Sequence, residues 1–143
     1  MKHFRIILSL IALSVPMILG AQNQAPQTPE QREKQMLEYI DKEVKRLSDL
    51  LKLEYWQEFY VDSTLTHDLT AMQEEMDDLQ KAKVGNADIF MAVRDKWMQQ
   101  IADSYQRFFD ENQWKKYLKS GGAREQRARD KRRQNAEAVK NQQ

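Results

Sequence analysis

The sequence predicts an all-α protein with about four helices, and three observations lead to this prediction. Apolar residues recur at spacings of three and four along four separate segments, as they do on helices that pack against other helices. No segment alternates apolar and polar residues as a half-buried strand would. Neither glycine nor proline occurs between residues 30 and 84, so nothing in this stretch strongly interrupts a helix.

The first 21 residues have the layout of a secretory signal peptide. Lys2 and Arg5 precede an apolar run over residues 6–19, and Gly20 and Ala21 provide the small residues of a cleavage site. The run of about 14 residues is too short for a membrane-spanning helix, which needs about 20. We therefore expect export, with cleavage near Ala21.

The chain contains no cysteine. An exported chain without cysteine has no disulfide framework, no thiolate metal site and no attachment point for a bacterial lipid anchor. Small secreted eukaryotic domains usually carry disulfides, so the absence favours a bacterial envelope. We expect a soluble periplasmic protein that is not a lipoprotein.

Composition divides the rest of the chain into a polar linker (22–27), a helical domain (28–122) and a C-terminal tail (123–143). Residues 22–122 carry 14 basic and 19 acidic side chains, whereas the tail carries seven basic and three acidic ones. Alanines and one valine are the tail's only apolar residues. Because such a segment cannot repay its ordering entropy by burial, we expect it to be disordered or a solvated helix.

The first helix is predicted to begin at Thr28, which with Pro29 and Gln31 forms the pattern of a capping box. A shift in the apolar phase predicts a break over residues 51–55, followed by a second helix over about 54–83. The first helix has a narrow apolar seam formed by Leu37, Ile40, Val44, Leu47 and Leu51.

Val84-Gly85-Asn86 separates the second helix from the third, with Gly85 suited to a left-handed C-cap and Asn86 to an N-cap. The third helix is predicted to run to about Phe108. Asp110 then opens a short fourth helix, which the Gly121-Gly122 pair should terminate.

No catalytic, cofactor or metal site is predicted. His67 is the only histidine left after cleavage, and beside Asp68 it lacks the partners that a hydrolytic or zinc site requires. The acidic residues 74–78 lack the glycine and the turning backbone of a calcium loop. We interpret both features as solvated surface, and we expect a protein without enzymatic activity.

The basic tail could contact anionic lipid phosphates through counterion release, or it could be an ordinary solvated terminus. Nucleic acid is not expected, because export separates the chain from it and no aromatic residue is interleaved to stack on bases. The cations concerned are Arg124, Arg127, Arg129, Lys131, Arg132 and Arg133.

Methionines and aromatic residues lie on the apolar stripes of the predicted helices. Most should be ordinary core, but a bundle this small should leave some of them at a groove or at a dimer seam. The candidates for a client or partner surface are Trp56, Phe59, Leu69, Met72, Met76, Phe90 and Trp97.

Two helix starts share a motif. Residues 51–57 read L-x-L-x-x-x-Q and residues 109–113 read apolar-x-x-x-Q. Over about residues 37–120 the chain resembles the Spy/CpxP-type periplasmic proteins, which carry two L-T-x-x-Q motifs; Glu54 and Asp110 occupy the threonine positions here. The resemblance implies a structural role for Leu53, Gln57, Phe109, Asp110 and Gln113.

The resemblance also implies an architecture and a function. It implies a long antiparallel helical hairpin, assembled as a bent, cradle-like homodimer that binds unfolded clients or an envelope partner without ATP, as a stress chaperone or regulator. Two alternatives remain open: a structural or assembly subunit whose apolar stripes a fixed partner covers, and a polyanion- or lipid-contacting protein acting through its tail.

Overall fold

The computed structural model describes residues 28–141, and over these residues the all-α prediction is confirmed. The predicted signal peptide and the polar linker, residues 1–27, lie outside the described residues, as do the last two residues of the predicted tail, 142–143. A π-helical turn at Leu118–Gly122 joins the last two of five α-helices. These helices are α1 (Pro29–Leu51), α2 (Tyr55–Lys81), α3 (Ala87–Phe108), α4 (Glu111–Tyr117) and α5 (Ala123–Lys140).

The starts of α1 and α3 follow from local capping, as their sequences predicted. The Thr28 hydroxyl accepts the backbone N–H of Gln31 at 3.3 Å, and the Gln31 side chain accepts the N–H of Thr28 at 2.9 Å. Asn86 caps α3 by accepting the backbone N–H of Asp88 at 2.9 Å. Each cap satisfies N–H groups that have no partner within the helix.

The end of α2 differs from the prediction. Lys83, not Gly85, takes the left-handed conformation, with φ of 55°. The N–H of Val84 donates to the carbonyl of Leu79 at 3.0 Å, and that of Lys83 donates to Gln80 at 2.9 Å. This pair of bonds closes the helix two residues before the glycine and forces the left-handed residue to be the lysine.

The ties between helices show that α1, α2 and α3 run antiparallel to their sequence neighbours. As residue numbers rise along one helix, the partners' numbers fall along the next. The ties are Arg32–Asp77 at 2.7 Å and Ser48–Glu58 between α1 and α2, and Glu75–Trp97 at 2.7 Å, Asp68–Gln100 at 2.9 Å and Gln57–Phe108 at 2.8 Å between α2 and α3. The antiparallel hairpin expected from the family resemblance is therefore present, and α2 packs against both neighbours.

The hydrophobic core is built from one face each of α1, α2 and α3, together with Phe109 between α3 and α4. Burying each large aliphatic side chain contributes roughly 1.5–3 kcal/mol. Leu69 belongs to this core with 7% of its surface exposed, so its assignment to a partner surface was wrong: it continues the face of α2 on which Leu65 lies four residues earlier. The core residues are Ile40, Leu47, Leu51, Val61, Leu65, Leu69, Ile101, Tyr105 and Phe109.

Gly121-Gly122 does not terminate the helical chain as predicted, but bends it. Gly121 adopts φ of 129° within the π-helical turn, and α5 begins immediately afterwards. A Cβ at Gly122 would lie 2.7 Å from the Tyr117 ring. The two glycines therefore allow a sharp change of direction and a close approach of backbone to ring, rather than a stop.

The tail adopts a helix, one of its two predicted states, but that helix is not solvated all round. Arg132 forms a two-bond ion pair with Asp95 of α3, at 2.6 and 2.8 Å. Arg129 is buried, and its Nε donates to the Gln99 side chain at 3.2 Å. Arg129 and Arg132 thus attach α5 to α3 by polar contacts, which the few apolar residues of the tail could not do by burial.

None of the helices within residues 28–141 is both long enough and apolar enough to cross a membrane.

Candidate partner-binding surface

A pair of buried glutamines joins the starts of α2 and α4. The Gln57 side-chain amide donates to Gln113 at 2.7 Å, and the Gln113 amide donates back to Gln57 at 2.9 Å. Only 4% of the surface of Gln57 and 8% of the surface of Gln113 is exposed. The second Gln57 N–H bond reaches the carbonyl of Phe108 at 2.8 Å, so the pair also ties down the end of α3. We call Gln57 and Gln113 the glutamine clamp.

Each clamp residue also closes the start of its own helix. The side-chain oxygen of Gln57, Oε1, accepts the backbone N–H of Glu54 at 3.0 Å. The side-chain oxygen of Gln113 accepts the backbone N–H of Asp110 at 2.9 Å. Asp110 completes its half by accepting the N–H of Gln113 at 2.8 Å. One polar pair therefore satisfies two helix starts and links them, which is the arrangement a buried polar group requires.

The two halves of the clamp differ where the sequence departs from the L-T-x-x-Q pattern. Asp110 caps α4 directly, whereas the Glu54 carboxylate accepts the indole N–H of Trp56 at 2.6 Å. That bond holds the indole beside the start of α2. The apolar motif residues pack inward, since Phe109 is buried and Leu53 lies half-buried against the core.

Four aromatic side chains project from the outer face of α2 above the clamp, and we call them the aromatic patch. They occupy positions i, i+1, i+4 and i+5, which form one helical face, whereas the neighbouring residues Gln57 and Val61 are buried. Their exposed fractions are Tyr55 86%, Trp56 46%, Phe59 61% and Tyr60 52%.

Ring contacts make three members of the patch continuous. Tyr60 lies edge-on to Trp56 at 6.1 Å and to Phe59 at 5.8 Å between ring centroids. It also stacks on Phe108 of α3 at 6.0 Å, which in turn contacts the core ring of Tyr105 at 5.8 Å. The exposed patch is thus anchored through aromatic contacts to the interior.

Sequence reasoning identified half of this patch. Trp56 and Phe59 were candidates, but Tyr55 and Tyr60 were missed. The helical spacing that groups the four was available, but it does not say which face of α2 is covered by α1 and α3. Because α2 has apolar residues on more than one face, only the packing separates core from surface.

The other candidates lie along the junction of α2 and α3, where they are half-buried. Met72 packs against the core, and the Trp97 indole N–H donates to Glu75 of α2 at 2.7 Å. Trp97 therefore contributes to helix pairing. The half-buried residues of this group are Met72, Met76, Phe90 and Trp97.

Two carboxylates of the acidic cluster are engaged in ties between helices, which corrects its interpretation as a solvated face. Hydrogen bonds from Lys96 and Trp97 hold the pKa of Glu75 below its ordinary value. The Arg32 guanidinium, at 2.7 Å, does the same for the pKa of Asp77. Arg32 therefore joins the N-terminal part of α1 to the far end of α2.

His67 is exposed, and its Nδ1 lies 2.8 Å from the carboxylate of Asp68. Asp68 itself is buried and also accepts the side-chain amide of Gln100. The described residues 28–141 hold no group of three or more histidines and carboxylates placed to bind a metal ion.

The fold and this surface define an all-α chain that presents an exposed aromatic patch above a buried polar clamp. Comparison with models of known protein families, with curated proteins and with solved structures gives no match.

Proposed function

We propose that this chain is an exported, non-enzymatic protein that binds unfolded clients or an envelope partner protein without ATP, as its resemblance to the Spy/CpxP-type proteins implies. The aromatic patch is the observation that carries the proposal. Exposed aromatic residues that adjoin one another are typical of interaction surfaces rather than of ordinary protein surface.

The position of the patch suits an apolar segment of another chain. Its rings stand on the first turns of α2, whose start the glutamine clamp holds in place. Exposed charged residues of both signs, Lys52, Glu54 and Asp62, lie beside it in the sequence. A flexible client with mixed apolar and charged side chains could therefore be held without a closed pocket.

The glutamine clamp supports the resemblance. Its two halves are the two motif glutamines, which come from positions 56 residues apart and bond to each other. We extend the proposal to a periplasmic location and to a cradle-like homodimer, both of which the resemblance implies.

The test is an aggregation assay with a chemically denatured client in the absence of ATP. The mature chain, residues 22–143, should suppress light scattering at a few-fold molar excess. The variant Trp56→Gln/Phe59→Gln should lose most of this suppression, because it removes apolar contact area from the patch. The matched control is Leu50→Gln/Val139→Gln, which changes two exposed apolar residues outside the patch and should retain suppression.

Circular dichroism would first establish that every variant is folded. A folded wild-type chain that leaves client aggregation unchanged would contradict the chaperone proposal. Equal loss of suppression in the patch variant and the control would show that general surface hydrophobicity, not the patch, is responsible.

A further inference from the structure

A second surface feature lies at the opposite end of α4 from the clamp, where the chain bends into α5. An open groove of about 490 Å³ is formed by the π-helical turn and the first turns of α5. Three cations line it: Lys119 before the bend, and Arg124 and Arg127 after it. We call it the basic groove.

The bend creates the groove. Gly121 turns the chain with φ of 129°, a value that side-chain-bearing residues rarely adopt. Arg124 and Arg127 stand three residues apart on α5 and so share one face. The turn brings Lys119 to the same concavity, which is why three like charges adjoin one another here.

The charge in the groove is poorly compensated. Within residues 28–141, neither Lys119 nor Arg127 has a carboxylate within 4 Å. Arg124 is exposed, and its single neighbouring carboxylate, Glu125, lies 3.7 Å away. Exposed pairs of this kind contribute little, so most of the positive charge remains available to a ligand.

Three of the remaining tail cations are engaged elsewhere. Arg129 and Arg132 contact α3, and Arg133 pairs with Asp130 at 2.8 Å. The tail is therefore not a uniform polybasic segment: the packing of α5 on α3 consumes one face and leaves the groove cations on another.

We propose that the basic groove binds a phosphate group, as a phosphomonoester or a pyrophosphate. Two guanidinium groups can each offer paired N–H donors to phosphate oxygens, and the lysine adds a compact positive charge. A phosphomonoester carries about −1.5 to −2 charge near pH 7, which matches three cations better than a single carboxylate does. The Ser120 hydroxyl donates to the carbonyl of Tyr117 at 2.8 Å, so the cations are the donors.

This inference goes beyond the proposed function, because the groove and the aromatic patch share no residue. The phosphate could be free in solution or displayed on a lipid headgroup. No aromatic residue lines the groove, so stacking on a nucleobase is not part of the proposal.

The test is calorimetric titration of the mature chain, residues 22–143, with inorganic pyrophosphate at low ionic strength. Arg124→Gln/Arg127→Gln should weaken binding by about tenfold or more, because it removes charge-assisted hydrogen bonds. Arg127→Lys, which keeps the charge but loses the fork, should cause a smaller loss. The control Lys34→Gln/Lys42→Gln removes the same charge from exposed positions on α1 and should bind as the wild type does.

A parallel arm uses vesicles that contain phosphatidic acid, whose headgroup is a phosphomonoester, and, for comparison, vesicles of phosphatidylcholine. Groove-dependent binding to pyrophosphate assigns a soluble ligand, and groove-dependent binding only to phosphatidic acid assigns a lipid headgroup. The proposal is overturned if the wild type binds neither probe, or if the groove variant and the α1 control lose affinity equally. The latter result would mean that net charge alone is responsible.

Discussion

At the scale of single residues, the side chains of Gln57 and Gln113 link several separate parts of the fold by hydrogen bonds. Each amide oxygen accepts two hydrogen bonds and Gln57 donates two. A buried amide that loses its partner retains the cost of leaving water, which is about 1–3 kcal/mol. The helix starts at Glu54 and Asp110 would lose an acceptor at the same time.

This arrangement predicts a strong coupling between the two positions. We expect Gln57→Leu and Gln113→Leu each to lower the free energy of unfolding by about 2 kcal/mol, because each leaves the other amide unpaired. The double variant should lose less than the sum, by about 1 kcal/mol. Urea unfolding followed by circular dichroism measures all three.

The control for this cycle is Gln106→Leu, which changes an exposed glutamine on α3 and should alter stability by less than about 0.5 kcal/mol. Strictly additive losses at positions 57 and 113 would contradict the clamp.

At the scale of elements, the bend before α5 depends on a conformation rather than on a contact. A Cβ at Gly121 would meet open space, so only its φ of 129° disfavours other residues. We expect Gly121→Ala to lower the free energy of unfolding by about 1–2 kcal/mol. It should also increase hydrogen exchange in α5, whose approach to α3 requires the bend.

Gly85→Ala is the matched control, because that site is equally open and has no left-handed φ. We expect it to be neutral or to stabilise the protein by up to about 1 kcal/mol, through restriction of the unfolded chain. Equal effects of the two substitutions would show that Gly121 is not strained.

The acidic ties of α2 give a prediction for pH. The pKa values of Glu75 and Asp77 are lower in the folded state than their ordinary values of 4.5 and 3.8. Their stabilising contribution is therefore present above those values and is lost as the pH falls through the lower folded-state values. We expect the urea midpoint to be constant near neutral pH and to fall below about pH 4.5.

The variant Glu75→Gln/Asp77→Asn should have a lower midpoint at neutral pH and a shallower fall in acid. The control Asp62→Asn/Glu74→Gln changes two exposed carboxylates of the same helix and should keep the wild-type fall. If the urea midpoint of the Glu75→Gln/Asp77→Asn variant falls in acid as steeply as that of the wild type, groups other than Glu75 and Asp77 cause the fall.

At the scale of the whole molecule, large apolar side chains outside the aromatic patch also remain exposed, including Leu37 and Tyr39 on α1 and Ile89 and Met91 on α3. A chain of this size buries only about two-thirds of its unfolded surface, which makes association a source of further burial. This supports the proposed homodimer.

Association predicts a melting temperature that depends on protein concentration. If the folded chain is a dimer, raising the concentration a hundredfold adds about 2.7 kcal/mol by mass action, which should raise the melting temperature by several degrees. Light scattering should give twice the monomer mass. A monomer mass together with a constant melting temperature would contradict the dimer.

The positions of the helices followed from local signals. Thr28, Asn86 and Asp110 each cap the helix that their side chains indicated, because capping bonds reach only two or three residues along the chain. The end of α2 was less predictable, since Lys83 carries the left-handed turn despite the cost to a residue with a side chain.

The sequence by itself determined the all-α class and the placement of four helices, because helix formation depends on spacing and caps within a few residues. Only the tertiary structure decided which side chains meet or remain exposed: Gln57 bonds Gln113, Leu69 is buried, and Tyr55 and Tyr60 join the patch. Burial and pairing depend on neighbours that are remote in sequence. For that reason the sequence does not decide which apolar residues are buried or which basic residues of the tail pack against α3; the packing of the helices decides both.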